Sequence, residues 1–315
     1  MDRLLVILGC TASGKSELAE AIALRQRERF GQNPTIMAVD SMQVYRGMDI
    51  GTAKPSAQAR QRTNYLMIDV ADPWESFSAA RFAGTAGPLI EQHRQNREAS
   101  GLILVAGTVL YLRALLEGLF EGPAADPVLR TELRRRAAAE GAAALHHELA
   151  AVDPAAGQRI HPHDLRRIIR ALEVFRLTGT PISQLQTQWN AAAPRWPCRL
   201  AGLVREKADL NQRINRRVHA MIEAGLVDEV RRLAAGPQPL SMQARAGVGY
   251  KEILEYLAGQ STLAEAIERI KINTRHLAKL QRTWLRRFTA VQWFPLGENQ
   301  SAADLADTVD QLRRA

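Results

Sequence analysis

Apolar residues recur in two rhythms along the first third of this 315-residue chain, and their alternation predicts a parallel sheet. Leu4-Leu5-Val6-Ile7-Leu8 is a continuous apolar run of strand length, as expected for a strand buried on both faces. Leu18, Ala19, Ile22 and Ala23 then follow at helical spacing and predict a helix over 14–29. A second strand is expected over 35–39, ending at Asp40, and a third over 65–70 ahead of Asp72-Pro73. A helix over 78–97 turns Phe82, Leu89 and Ile90 inward, and the strand Leu102-Ile103-Leu104-Val105-Ala106 closes the set. Strands and helices in this order imply an α/β fold whose functional edge lies at the carboxyl ends of the strands.

The pattern changes after Gly122-Pro123, where alanine- and arginine-rich helical sequence takes over. Residues 128–150 read as helix, Asp153-Pro154 opens another, and 198–204 (CRLAGLV) returns to a strand. The division expected is a core of 1–122 and 198–315 with an inserted all-helical module over 123–197. His146, His147, His161 and His163 fall in that module, but without cysteines nearby they do not form a zinc pattern. Two helices, 163–176 and 269–287, interleave basic and apolar positions. Arg166, Arg167, Arg170 and Arg176 accompany Ile168, Ile169, Leu172, Val174 and Phe175. Arg269, Lys271, Arg275, His276, Lys279, Arg282, Arg286 and Arg287 accompany Ile270, Leu277, Trp284 and Phe288. Such helices fit either a solvated amphipathic surface or an RNA groove, and Trp284 and Trp189 fit either core packing or base stacking.

Composition narrows the setting. Lys plus Arg number 42 against 33 acidic residues, a formal charge of +9, compatible with a large anionic partner or with a basic enzyme. Two cysteines, Cys10 and Cys198, exclude a disulfide framework and suit a reducing compartment. No apolar stretch reaches the ~20 residues of a membrane span. The chain is expected to be cytoplasmic, off the membrane, and monomeric without an obligate protein partner.

The chemistry begins directly behind the first strand. Residues 9–16 read GCTASGKS, the glycine-rich phosphate loop G-x-x-x-x-G-K-[ST]. A strand before it and a helix after it give a P-loop NTPase-like α/β fold, with the sheet flanked by helices. The backbone from Gly9 through Cys10, Thr11, Ala12 and Ser13 to Gly14 would wrap a diphosphate or nucleotide. Glycine at 9 and 14 permits close approach and positive φ, Lys15 supplies charge, and Ser16 offers its hydroxyl to Mg2+. By frequency alone this loop would bind ATP. A nucleotide hydrolase, however, places an aspartate after a second apolar strand, and LILVA runs into Gly107-Thr108 with no carboxylate. The acid at the end of a strand is instead Asp40, a candidate general base or magnesium neighbour, or a simple turn cap. A nucleotide kinase and an RNA-binding ATPase would both share the loop.

The segment DSMQVYRGMDIGTAKP at 40–55 resembles a signature of the tRNA dimethylallyltransferases, also called tRNA isopentenyltransferases. Further blocks follow in order over nearly the whole chain. GCTASGKS is similar to the family's GPTASGK[ST] with Cys10 in place of proline, and AGTVLYLRAL at 106–115 to its GGT-x-LY segment with Ala106 for glycine. HPHDLRRIIRALEVFRLTGTPIS at 161–183 resembles its arginine-rich helix. MIEAGLVDEVRRL at 221–233, VGYKE at 248–252 and TRHLAKLQRTWLRRF at 274–288, with Leu280 where arginine is usual, complete the series. Like bacterial-type members, the chain carries no zinc-finger pattern after them.

The resemblance implies transfer of a dimethylallyl group from dimethylallyl diphosphate to the N6 amine of the adenine 3′ of a tRNA anticodon. The phosphate loop would then hold a leaving group, with Lys15, Ser16 and Mg2+ neutralising it. Asp40 would orient the amine and take its proton, and Thr108 would sit across the channel. Arg217, with Arg216 as its alternative, would be a second clamp on the diphosphate. The tRNA anticodon stem-loop would be met by Asp40, Ser41, Met42, Gln43 and Thr108, by Arg130, Arg166, Arg167, Ile168, Ile169 and Arg170, and by Lys279 and Arg282.

Overall fold

A computed structural model describes residues 4–31, 34–96, 101–120, 122–186 and 194–313. The contacts divide the chain into two compact units, Met1–Leu116 with Pro194–Ala315, and Glu117–Ala193. The helical insertion thus starts and ends a few residues earlier than its composition suggests. Leu116 accepts a hydrogen bond from the Arg195 amide, which joins the two ends of the first unit where the insertion leaves it.

In the first unit the chain runs β1 (Leu4–Leu8), α1 (Lys15–Phe30), β2 (Thr35–Val39), α2 (Ala57–Arg62), β3 (Asn64–Leu66), α3 (Ala79–Gln95), β4 (Leu102–Ala106) and α4 (Val109–Glu117). The insertion contributes α5 (Pro127–Glu140), α6 (Ala142–Val152), α7 (Pro154–Arg159), α8 (Leu165–Thr178) and α9 (Ile182–Leu185). The first unit resumes with β5 (Cys198–Arg205), α10 (Lys207–Glu223), α11 (Leu226–Ala234), α12 (Met242–Arg245), α13 (Tyr250–Leu257), α14 (Leu263–Leu285), β6 (Val291–Leu296) and, after a 3-10 turn, α15 (Ala306–Gln311).

All six strands form one sheet in the order β3-β2-β4-β1-β5-β6, and every pairing is parallel. β1 lies inside the sheet, with Leu4, Val6 and Leu8 in the core on one face and Leu5 and Ile7 in the core on the other. That explains its unbroken apolar run. β6, an edge strand, tolerates Pro295 because an edge leaves one side of the backbone unpaired.

Three predicted elements differ. The third strand is only three residues long, because Met67 (φ 63°) and Asp69 (φ 57°) turn into the left-handed region. Asp69 is drawn there by Lys54 and Arg60, whose nitrogens reach it at 2.6 Å. The helical run over 128–150 is two helices, since Gly141 (φ 86°) separates α5 from α6. The basic helix predicted over 269–287 begins earlier, at a capping box made by Thr262 and Glu265, and stops at Leu285.

The insertion has its own core, including Leu133, Leu145, Leu149, Ile168, Ile169, Leu172 and Val174. Glu173 is fully buried within it. Its carboxylate is answered by Arg130 at 2.8 Å, Arg170 at 2.5 Å and the Asp126 amide at 2.8 Å. His146 points its Nε2 at the Gly157 and Ile160 carbonyls, at 3.0 and 2.9 Å.

Candidate active site

β1 delivers the phosphate loop to the carboxyl edge of the sheet. Positive φ occurs at Gly14 (105°) and at Ala12 (62°), and not at Gly9. Gly9 is needed for space, since a β-carbon there would lie 2.4 Å from the Ser13 hydroxyl. The Cys10 side chain is buried in the core, and its carbonyl accepts the Lys15 ammonium at 2.7 Å and the Ser13 amide at 3.3 Å. Arg205, fully buried, braces the loop from behind through the Ser13 carbonyl at 3.0 Å and pairs with Asp209 at 2.9 Å. Arg213 of α10 donates to the Ala12 carbonyl at 3.0 Å.

The loop opens into a cavity of about 510 Å³. Thr11, Ala12, Gly14, Lys15 and Ser16 form one wall, and Asp40, Met42 and Gln43 another. α10 supplies Arg216 and Arg217, while Ile214, Val218, Met221, Val248, Ile270 and Leu277 supply apolar surface. Leu277, an apolar residue of α14, is exposed and lines this cavity. Burial lowers Lys15 to a pKa of about 8, and the neighbouring Arg217 charge pushes in the same direction. Arg217 is lowered too, chiefly by burial, with Arg213 adding to the effect and Asp40 opposing it. Among the described residues no hydrogen bond or ion pair holds the Arg217 guanidinium. Two cations held against solvation in one cavity make a site for an anion.

Asp40 does two things at once. Its Oδ1 accepts the Met42 and Gln43 amides at 2.8 and 3.2 Å, which caps the turn after β2. Its Oδ2 faces Gly107: a β-carbon at Gly107 would lie 3.4 Å from that oxygen, 3.7 Å from Gln281 Nε2 and 3.9 Å from Lys15 Cε. The carboxylate missing after β4 is thus replaced by one reaching across from β2, the neighbouring strand. Thr108 stands beside the Asp40-Ser41 turn. Its hydroxyl accepts the Ser41 amide at 3.0 Å and lies 3.3 Å from Ser41 Oγ, which fixes the Asp40-Ser41 turn.

The signature loop 40–55 is held by residues from the later blocks. Glu229 accepts the amides of Asp49, Ile50 and Gly51, and Tyr250 donates its hydroxyl to the same carboxylate at 2.6 Å. Gly51 has no room for a side chain, since a β-carbon would sit 2.5 Å from the Tyr250 ring. Glu252 accepts the Gly249 amide at 2.7 Å and the Asn273 side chain at 2.7 Å. Lys54 is buried against the Tyr45 carbonyl, Asp49 and Asp69. Gln43 donates to the Thr52 carbonyl at 3.1 Å.

The expected RNA contacts separate into groups. Ile168 and Ile169 are core residues, so their side chains face the insertion's interior and cannot meet a partner. Arg130 and Arg170 neutralise Glu173, and Arg176 pairs with Glu132 and Glu148. Arg166 and Arg167 are exposed, the latter 3.3 Å from Asp164. Lys279 is exposed and Arg282 half-buried, with no acidic partner among the described residues. Trp284 is half-buried with the Arg287 guanidinium over its ring, and Trp189 lies outside the described residues. Gln281, not singled out from sequence, joins the phosphate loop to β4; it lies inside the TRHLAKLQRTW block, which was the only signal available.

Ser16 lines the cavity, while no three His, Cys, Asp or Glu residues among those described could cage an ion. The donor set fits magnesium, which binds through few protein ligands and shares phosphate oxygens and water.

Fold and site together define an enzyme whose phosphate loop shares one cavity with a carboxylate and an apolar wall. A family model described as IPP transferase matches residues 43–288. The chain belongs to the IPP transferase family. It is 46% identical over 292 residues to a tRNA dimethylallyltransferase of Geobacter sulfurreducens, covering 92% of this chain and 91% of the relative. The full-length tRNA isopentenylpyrophosphate transferase of Bacillus halodurans has a similar structure, with a TM-score of 0.68 at 35% identity, covering 100% of this chain and 97% of that one. A eukaryotic dimethylallyltransferase captured acting on tRNA gives a TM-score of 0.75 at 25% identity, covering 100% of this chain and 80% of that one. Among the described residues no helix is long and apolar enough to cross a membrane.

Proposed function

We propose that this chain transfers a dimethylallyl group from dimethylallyl diphosphate to the N6 amine of the adenine 3′-adjacent to the tRNA anticodon, releasing diphosphate. The observation that carries the reading is the single cavity that joins the phosphate loop, the Lys15 and Arg217 cations, the free oxygen of Asp40 and an apolar wall.

The roles follow from that arrangement. The amides of the loop, Lys15 and Arg217 bind the diphosphate, and the wall of Ile214, Val218, Met221 and Leu277 takes apolar surface of the substrates. The adenine amine forms a bond to the C1 carbon of the donor while the C1–O bond breaks, and the electron pair leaves with diphosphate. Asp40 Oδ2 takes the proton released from nitrogen, while Oδ1 stays on the turn and keeps the carboxylate aimed. Fixed cations do most where charge builds on the departing oxygen. A magnesium ion, held by Ser16 and shared with the phosphate oxygens, would add charge neutralisation there.

The amine can reach C1 only if the base leaves its stack, and in a single-stranded loop that extrusion is least costly. Lys279 and Arg282 on α14, and the exposed Arg166 on α8, are the cations proposed to meet RNA phosphates. The chain is proposed to act in the cytoplasm, as a monomer. Incubation with unmodified tRNA, Mg2+ and carbon-labelled dimethylallyl diphosphate tests the reading. Label is expected in the RNA, on the adenine beside the anticodon; absence of label across a full tRNA pool would overturn it.

A further inference from the structure

Gln281 is placed between the two halves of the chemistry. Its Oε1 accepts the Thr11 amide of the phosphate loop at 2.8 Å, and its Nε2 donates to the Gly107 carbonyl at 2.8 Å. Thr11 lies 270 positions away in sequence and Gly107 lies 174, so neither contact is local. Gly107 is the point on which Asp40 Oδ2, Lys15 Cε and Gln281 Nε2 converge. One amide side chain therefore sets the position of the loop relative to the end of β4, and through it relative to the carboxylate.

The same side chain belongs to α14. Lys279 and Arg282, the residues on this helix left free for RNA phosphates, lie within two positions of it, on the same or adjoining turn. We infer that Gln281 is a positioning residue that couples RNA contact along α14 to the grip of the phosphate loop on diphosphate. The inference rests on the transferase reading above. A shift of α14 when RNA engages Lys279 and Arg282 moves Gln281, and with it the Thr11 amide. An amide is suited to the task because it accepts at one end and donates at the other; a side chain with only one of these functions satisfies half of the link. Coupling of this kind is reciprocal, so diphosphate must strengthen RNA binding by the same factor.

The test compares wild type with Gln281→Met, which keeps the length of the side chain and loses both hydrogen bonds. Affinity for inorganic diphosphate is measured without RNA and with a saturating anticodon stem-loop RNA. In the wild type RNA is expected to lower the diphosphate Kd by about fivefold or more. In Gln281→Met that ratio should fall to within about twofold, while RNA affinity alone stays near wild type and the protein, though less stable, remains folded at the assay temperature. If Gln281→Met does not fold, Gln281→Glu serves, since it keeps an acceptor for Thr11 but loses the donor to Gly107, and the ratio should again collapse. A wild type with no coupling, or a folded variant that retains it, overturns the inference alone, provided the wild type still prenylates tRNA. A wild type that transfers no label overturns the parent reading and this one together.

Discussion

Tyr250 donates its hydroxyl to Glu229 at 2.6 Å, and the carboxylate so held takes three successive amides of the 49–51 turn. Glu229 is 1% exposed, so all four donors depend on it and not on water. Burial, followed by the Glu229 charge, raises the Tyr250 hydroxyl far above its usual range, which keeps it a donor at every ordinary pH. The loop carrying Met42 and Gln43 to the cavity is therefore stiffened from a helix more than 170 positions away.

Glu229→Ala should cost about 3 kcal/mol or more, because several buried donors lose their acceptor together. Tyr250→Phe removes one bond and should cost about 1–3 kcal/mol. Chemical denaturation of both variants checks this; a Glu229→Ala protein as stable as wild type would contradict it.

Lys15 gives a pH dependence of known sign. Burial brings its free-state pKa to about 8, and a bound diphosphate must raise it by favouring the charged form. Below that pH the ammonium is already present and binding takes up no proton at Lys15. Above it the free protein has lost a proton that the complex retains, so binding takes one up and affinity falls as pH rises, approaching tenfold per unit. Calorimetry of diphosphate binding in buffers of different ionisation heat should show proton uptake growing from pH 7 to 9. Since diphosphate itself loses protons when cations bind it, the reading is the difference from Lys15→Arg; an identical proton balance in the two proteins would refute the assignment.

The basic residues should divide in two. Lys279→Ala should weaken tRNA binding and flatten its salt dependence by about 0.7–0.9 in log–log slope per lost phosphate contact. Arg130→Ala and Arg170→Ala each remove a partner of the buried Glu173 and should lower stability by about 3 kcal/mol. Fluorescence titrations at several salt concentrations, beside thermal melts, separate the two effects. A Lys279→Ala protein with an unchanged slope would place the RNA elsewhere.

How far the sequence carried can be seen at particular residues. β1, β2 and β4 were legible to the residue because strands buried on both faces must be apolar throughout. Asp40 was legible because it ends such a strand. The early stop of β3 was not, since it depends on Asp69 meeting Lys54 and Arg60 through the folded loop. Ile168 and Ile169 look like neighbours of the arginines along the chain, yet on α8 they turn to the core while Arg166 and Arg167 turn out. Glu229, Tyr250 and Gln281 fell within recognisable blocks, but their work is done at contacts of long sequence separation that no local pattern records.

The central claim is that one cavity sets the free oxygen of Asp40 against a leaving group held by the phosphate loop. Asp40→Asn tests it most directly, because an amide oxygen still accepts the Met42 and Gln43 amides while the nitrogen cannot take a proton. In single-turnover reactions with tRNA and labelled donor, transfer should fall by about 10²- to 10⁴-fold, with diphosphate and tRNA affinities close to wild type. Transfer at a near wild-type rate would contradict the account.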